Sequence, residues 1–83
     1  MSIKRKTVEL REMQENHTGT IAAIRAGGEL GRRIRDMGII TGSQITVCGR
    51  APLKDPVAFR VLHTTLTLRN NEADYISVQI LEK

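Results

Sequence analysis

From Thr41 onward apolar and polar positions alternate with a period of two. Ile45 and Val47 alternate with Gln44, Thr46 and Cys48, and Val57, Phe59 and Val61 alternate with Ala58 and Arg60. Leu66 and Leu68 alternate with Thr65, Thr67 and Arg69, and Ile76, Val78 and Ile80 alternate with Ser77 and Gln79. Successive side chains of a strand point to opposite faces, so each run predicts a short half-buried strand. The break at His63-Thr64 is so short that the second and third of these strands must form a tight hairpin. Asn70 to Asp74 suits one helical or 3-10 turn before the last strand. Thr20 to Arg25 predicts a further strand, in which Ile21 and Ile24 fall on opposite faces unless a bulge separates them.

Between that strand and Thr41 the period lengthens. Leu30, Ile34 and Met37 recur at i, i+4 and i+7, which predicts a helix over about residues 28 to 37 with one apolar face. Gly27-Gly28 opens it and Glu29 places negative charge at its positive end. Arg32, Arg33, Arg35 and Asp36 fill the other face, and a Glu29–Arg33 pair would contribute about 0.3 kcal/mol. Gly38 stands where a left-handed C-terminal cap is wanted, with Ile39 to close it by an apolar contact. Nearer the start, Thr7 is a candidate N-cap, and Leu10 and Met13 share one face of a short helix over 8 to 14. Asn16 and Gly19 end that helix, because both tolerate backbone angles that other residues avoid. Residues 1 to 6 read as a flexible basic end, ahead of one domain over 7 to 83. The sum is a mainly β fold: a small barrel of about five strands, one inserted helix and a short N-terminal helix.

Composition narrows what such a domain can do. The chain has 83 residues, 40% of them hydrophobic and 27% charged, which suits one small folded domain and argues against wholesale disorder. Its longest apolar runs, such as Ile21 to Ile24, fall far below the roughly 20 residues that span a bilayer, so no direct membrane insertion is expected. The residues after Lys4-Arg5-Lys6 break up any signal-peptide apolar region, and a lone cysteine, Cys48, fits a reducing compartment. A cytoplasmic location follows. A net charge of +4 permits an acidic partner. Phe59 and Tyr75 are the only aromatic residues, too few to stack several bases, so nucleic acid is not the expected ligand.

No catalytic constellation is spelled out. There is no Ser-His-Asp set and no pair of carboxylates at a working spacing, and Gly27 to Gly31 lacks both nucleotide-binding glycine patterns. The chain therefore reads as a binding module and not an enzyme. Two features could carry binding. Arg32 and Arg35 on the helix offer cations to an acidic surface, against the plainer reading of a solvated helix face. The segment Ala51-Pro52-Leu53-Lys54-Asp55-Pro56 is stiffened by two prolines, so it loses little entropy on binding. There Leu53 would be the apolar anchor and Asp55 its polar neighbour, against the plainer reading of a stiff connection between strands. For a metal the soft or imidazole ligands are Cys48, His17 and His63, without CxxC, HxH or HExxH spacing. Strand parity turns Cys48 away from the core and His63 falls at a hairpin tip, so surface positions are the plainer reading.

One set of residues, in order, resembles a known family. Gly27-Gly28, Leu30, Arg32-Arg33-Ile34, Met37-Gly38-Ile39 and Gly42 are followed by Ala51-Pro52-Leu53 with Asp55-Pro56, then by Leu68-Arg69, Glu72-Ala73 and Ile76. Together these are similar to the FeoA family, over Leu10 to Val78. Three positions depart from its pattern. Thr41 stands where a proline is usual, His63 where a glycine is common, and Asn16 where a glycine is frequent. The resemblance implies an SH3-like barrel and a small cytoplasmic accessory or regulatory protein of ferrous iron uptake. It implies docking on the cytoplasmic side of the FeoB transporter, with transition-metal binding as a general family expectation. No cofactor is required on this reading; weakly held Fe²⁺ or Zn²⁺ and self-association as a homo-oligomer are compatible with it. The alternative is a nucleic-acid-associated or metalloregulatory module, since SH3-like barrels also occur in iron-dependent repressors.

Overall fold

The computed structural model describes residues 4 to 50 and 55 to 82. Its strands are β1 (Lys4–Glu9), β2 (Thr18–Ile24), β3 (Gln44–Arg50), β4 (Val57–Val61), β5 (Thr64–Leu68) and β6 (Ile76–Glu82). A 3-10 turn spans Leu10–Glu12, the helix α1 spans Gly28–Asp36, and the short helix α2 spans Asn70–Ala73. All the strands pair antiparallel in one sheet, in the order β1-β6-β2-β3-β4-β5. The chain is mainly β, as the alternation predicts.

The four strands with clean period-two patterns form where the pattern places them. Ile45, Val47, Val57, Phe59, Val61, Leu68, Ile76 and Val78 all turn into the core. Bulges adjust two strands. Ala22 is the extra residue between Ile21↔Val78 and Ala23↔Ser77, which lets Ile21 and Ile24 both pack inward. Cys48 is the extra residue between Val47↔Phe59 and Gly49↔Ala58, and it is exposed.

The N-terminal segment differs from expectation. Lys4, Arg5 and Lys6 belong to β1, which pairs with β6 from Lys4↔Glu82 to Glu9↔Ser77, so the barrel has six strands and not five. β1 buries Val8 alone among its residues, and an edge strand with one buried residue has no apolar alternation to read. The short helix over 8 to 14 is instead the end of β1 followed by a 3-10 turn. Leu10 and Met13 do share one face, both buried, because residues three apart eclipse in a 3-10 turn. Asn16 takes φ 66, the left-handed conformation expected of it. Gly19 does not; it is kept small by a neighbouring strand.

α1 lies against the core through Ile34, which is fully buried, and through the half-buried Leu30 and Met37. Its C-terminus closes as the residues dictate. Gly38 takes φ 90 and donates its N–H to Arg35 O at 2.9 Å, while Ile39 donates to Ile34 O at 3.3 Å. That double bond is the Schellman arrangement, and both isoleucines end in the core.

The β4–β5 hairpin turns at Leu62-His63, one residue earlier than the spacing suggests, with Val61↔Thr64 as its last pair. The left-handed residue there is Leu62, at φ 58 and 76% exposed. A leucine gains nothing from that exposure and is strained by that angle. Leu62→Gly is expected to stabilise the domain by about 0.5–1 kcal/mol, the relief of strain exceeding the entropy glycine adds to the unfolded chain. A rise in the denaturant midpoint at constant m-value would show it.

Candidate docking surface

The chain carries nine arginines. Four arginines are committed to the fold. Arg11 forms a bidentate pair with Asp74, Nε–Oδ1 and Nη2–Oδ2 both 2.7 Å, joining the 3-10 turn to the end of α2. Arg25 reaches both oxygens of Glu9, at 2.8 and 3.0 Å. Arg50 directs Nη2 into the 3-10 turn, donating to Leu10 O at 3.3 Å, Met13 O at 2.9 Å and Arg11 O. Arg33 does not pair with Glu29, as its i+4 spacing suggested, but with Glu72 of α2. Glu72 uses its other oxygen to accept the Arg69 N–H at 3.1 Å, so one carboxylate caps α2 and ties it to α1.

On α1, Arg32 and Arg35 are left over. Both are exposed on α1, and neither has an ion-pair partner among the described residues. Beside Arg35 a shallow groove opens, lined by Ile24, Ala26, Ile40 and Thr41. Ile40 is 53% exposed. Sequence reasoning missed it, because Ile40 lies between α1 and β3 in no periodic segment whose pattern would mark its exposure. Two unpaired guanidiniums on α1, with Arg35 beside an exposed isoleucine, can hold an acidic surface that also carries an apolar side chain.

The other expected site residues that the structure describes are not gathered at this place. Asp55 accepts the Asn70 N–H on Oδ1 at 2.9 Å, so its carboxylate serves the first turn of α2. Leu53, with Ala51, Pro52 and Lys54, lies outside the described residues. Cys48 donates to Thr46 O at 3.7 Å from the exposed bulge of β3. His63 sits at the β4–β5 tip beyond the Ile45↔Val61 pair, and the backbone of His17 bonds to Val47. Among the described residues no three His, Cys, Asp or Glu side chains converge to hold a metal ion. A groove of about 490 Å³ crosses β6, β2 and β3, and its one ionisable lining residue is Arg5, so it pairs no acid with a base. No helix among the described residues is long and apolar enough to cross a membrane.

A single antiparallel sheet wrapped over one core, with a helix packed against it, defines a small barrel-type domain. The chain belongs to the FeoA family: residues 8–80 match the model of the FeoA domain. A curated relative is the Fe(2+) transport protein A/Fe(2+) transporter FeoB fusion protein of Porphyromonas gingivalis, 36% identical over 72 residues. That match covers 83% of this chain and only 8% of the fusion protein's length. Among solved structures, the FeoA-like protein of Clostridium acetobutylicum is 35% identical, with a TM-score of 0.84 over 94% of this chain and 91% of that one. The zinc-complexed FeoA of Stenotrophomonas maltophilia, described as a prokaryotic SH3-domain protein, is 23% identical. It superposes with a TM-score of 0.73 over 84% of this chain and 92% of that one, which speaks for the shared SH3-like fold. The family is associated with ferrous iron transport.

Proposed function

We propose that this chain is a cytoplasmic accessory protein of ferrous iron uptake that docks on the cytoplasmic part of a FeoB-type transporter. The observation that carries this reading is the Porphyromonas gingivalis relative, in which a domain similar to this one shares a polypeptide with FeoB. Joining two modules by a linker raises their effective concentration to about the millimolar range, so fusion favours a pair that also works by contact. A separate chain must supply that contact from its own surface. Arg32, Arg35 and Ile40 are the residues available for it, and Leu53 and Asp55 remain candidates on the connection between β3 and β4. Ferrous iron enters as the transporter's cargo. Any Fe²⁺ or Zn²⁺ bound by this chain itself would draw on Cys48, His17 or His63 together with a ligand from another chain.

The test is binding of the full chain to purified FeoB in nucleotide-free, GDP and GTP-analogue states. Arg32→Glu with Arg35→Glu is expected to weaken association at least about tenfold, roughly 1.4 kcal/mol, mainly through a slower on-rate. The two side chains have no ion-pair partner among the described residues, so only the helix-dipole cost of new carboxylates near the end of α1 is expected, a fall of a few degrees at most in melting temperature with the fold retained. Failure of the unaltered chain to bind FeoB in every nucleotide state would sink the docking reading.

A further inference from the structure

The sheet order leaves β1 and β5 as its outer strands, and the two edges are unlike. β1 exposes Lys4, Arg5 and Lys6, and cations along an edge discourage pairing with another strand. β5 reads Thr-Thr-Leu-Thr-Leu, with no charge and no proline, and pairs with β4 residue for residue without a bulge.

The register fixes which backbone groups of β5 are free. Residues flanking a two-residue turn exchange both hydrogen bonds, so Val61 and Thr64 do, and by alternation so do Phe59 with Leu66 and Val57 with Leu68. The N–H and C=O groups of Thr65 and Thr67 therefore point away from β4, toward the open side. Leu66 lies between them on the core side, opposite Phe59. It packs against the core yet stays only half-buried, because no strand among the described residues continues the sheet beyond it.

We propose that β5 pairs antiparallel with β5 of a second copy of this chain, about a two-fold axis through Leu66. In that register Thr65 faces Thr67 of the second copy, and each donates its N–H to the other's carbonyl. Leu66 meets its own counterpart as a non-hydrogen-bonded pair, the spacing at which side chains come closest. The outward groups are symmetric about Leu66, so the edge is complementary to itself. Such a pairing is isologous and closes at two copies. The cationic β1 edge keeps the sheet from growing further. A five-residue strand pair buries less than the roughly 1,200 Å² of stable complexes, so the dimer is weak and reversible. It uses neither Arg32 nor Arg35, and so stands apart from docking on FeoB.

Sedimentation equilibrium of the full chain from about 10 μM to about 1 mM reads the association directly, over the range expected of a weak complex. The weight-average mass should climb from the 9.3 kDa monomer toward twice that value. Thr65→Pro removes an outward N–H that the β4 ladder does not use, and Thr67→Lys sets a cation on the edge. Each should raise the dissociation constant at least about tenfold with the circular dichroism spectrum retained. Should Thr65→Pro fail to fold, Thr67→Lys decides alone, since its side chain is exposed. A chain monomeric throughout overturns the proposal and leaves the edge to an extended segment of another protein. A dimer that Thr67→Lys leaves unchanged overturns it too.

Discussion

Gly19→Val is expected to destabilise the domain by about 3 kcal/mol, the upper range for forcing extra atoms into a packed interior. Gly19 sits in β2 where that strand passes β6, paired with Ile45 on its other side. A Cβ there would meet Val78 Cγ1, Gln79 O at 2.8 Å and Ile80 Cγ2 at 3.0 Å. The carbonyl decides the outcome, because backbone held in a ladder cannot swing aside as a side-chain tip can. β6 is also hydrogen-bonded to β1, so displacing it strains two strand pairs at once. A domain of this size holds on the order of 4–12 kcal/mol in all, so the loss is a large share. The melting temperature should fall by roughly 10–20 °C, with Gly19→Ala between the two. A valine variant that melts within about 2 °C of the parent would show that β2 and β6 do not approach this closely.

Arg50→Met should cost about 2–3 kcal/mol, although the methionine keeps most of the apolar stem. The Nη2 nitrogen shares its two hydrogens among the carbonyls of Leu10, Arg11 and Met13. Bonds from a charged donor are worth more than neutral ones, and the part-buried Met13 carbonyl left unmet adds a desolvation cost, whereas Leu10 O keeps the Met13 N–H. Arg50→Lys, with its donors on one nitrogen but a shorter reach, should recover part of the loss. The variants also differ in where they open the fold. Amide exchange should quicken first around Leu10 to Met13, the turn that Arg50 closes, and less at β4 and β5. Uniform acceleration would mean that the arginine supports the whole core and not this turn.

How legible each part was in the residues follows from the range of the interactions behind it. α1 was legible to within a residue, because its apolar face, its opening glycines and its Gly38-Ile39 closure are all local. β3 to β6 were legible because burial on one face imposes alternation on the chain itself. β1 was not, since its evidence is a ladder to β6 some seventy residues away and a single buried valine. The same limit governs the charges. Arg33 has Glu29 four residues before it, yet its partner is Glu72, 39 residues on. Arg11 meets Asp74 across 63 residues, and Arg50 meets the 3-10 turn across about 40.

This sorting of arginines is what turned a basic helix into a candidate site. In the sequence Arg32, Arg33 and Arg35 are equivalent members of one charged run. In the fold Glu72 takes Arg33, and of the two that remain Arg35 lines a groove with Ile40. Asp55 moved the other way, from a candidate for contact to a cap on α2.

By itself the sequence determined the fold class, the place and ends of α1, the four alternating strands and membership of the FeoA family. Each of these rests on periodicity, capping or an ordered set of motif residues, which operate over a few positions at a time. Only the tertiary structure decided that the basic N-terminus is an edge strand, which arginines stay free, and that β5 ends the sheet uncharged. Those properties depend on what lies opposite a residue in space, and a chain acquires opposites only when it folds.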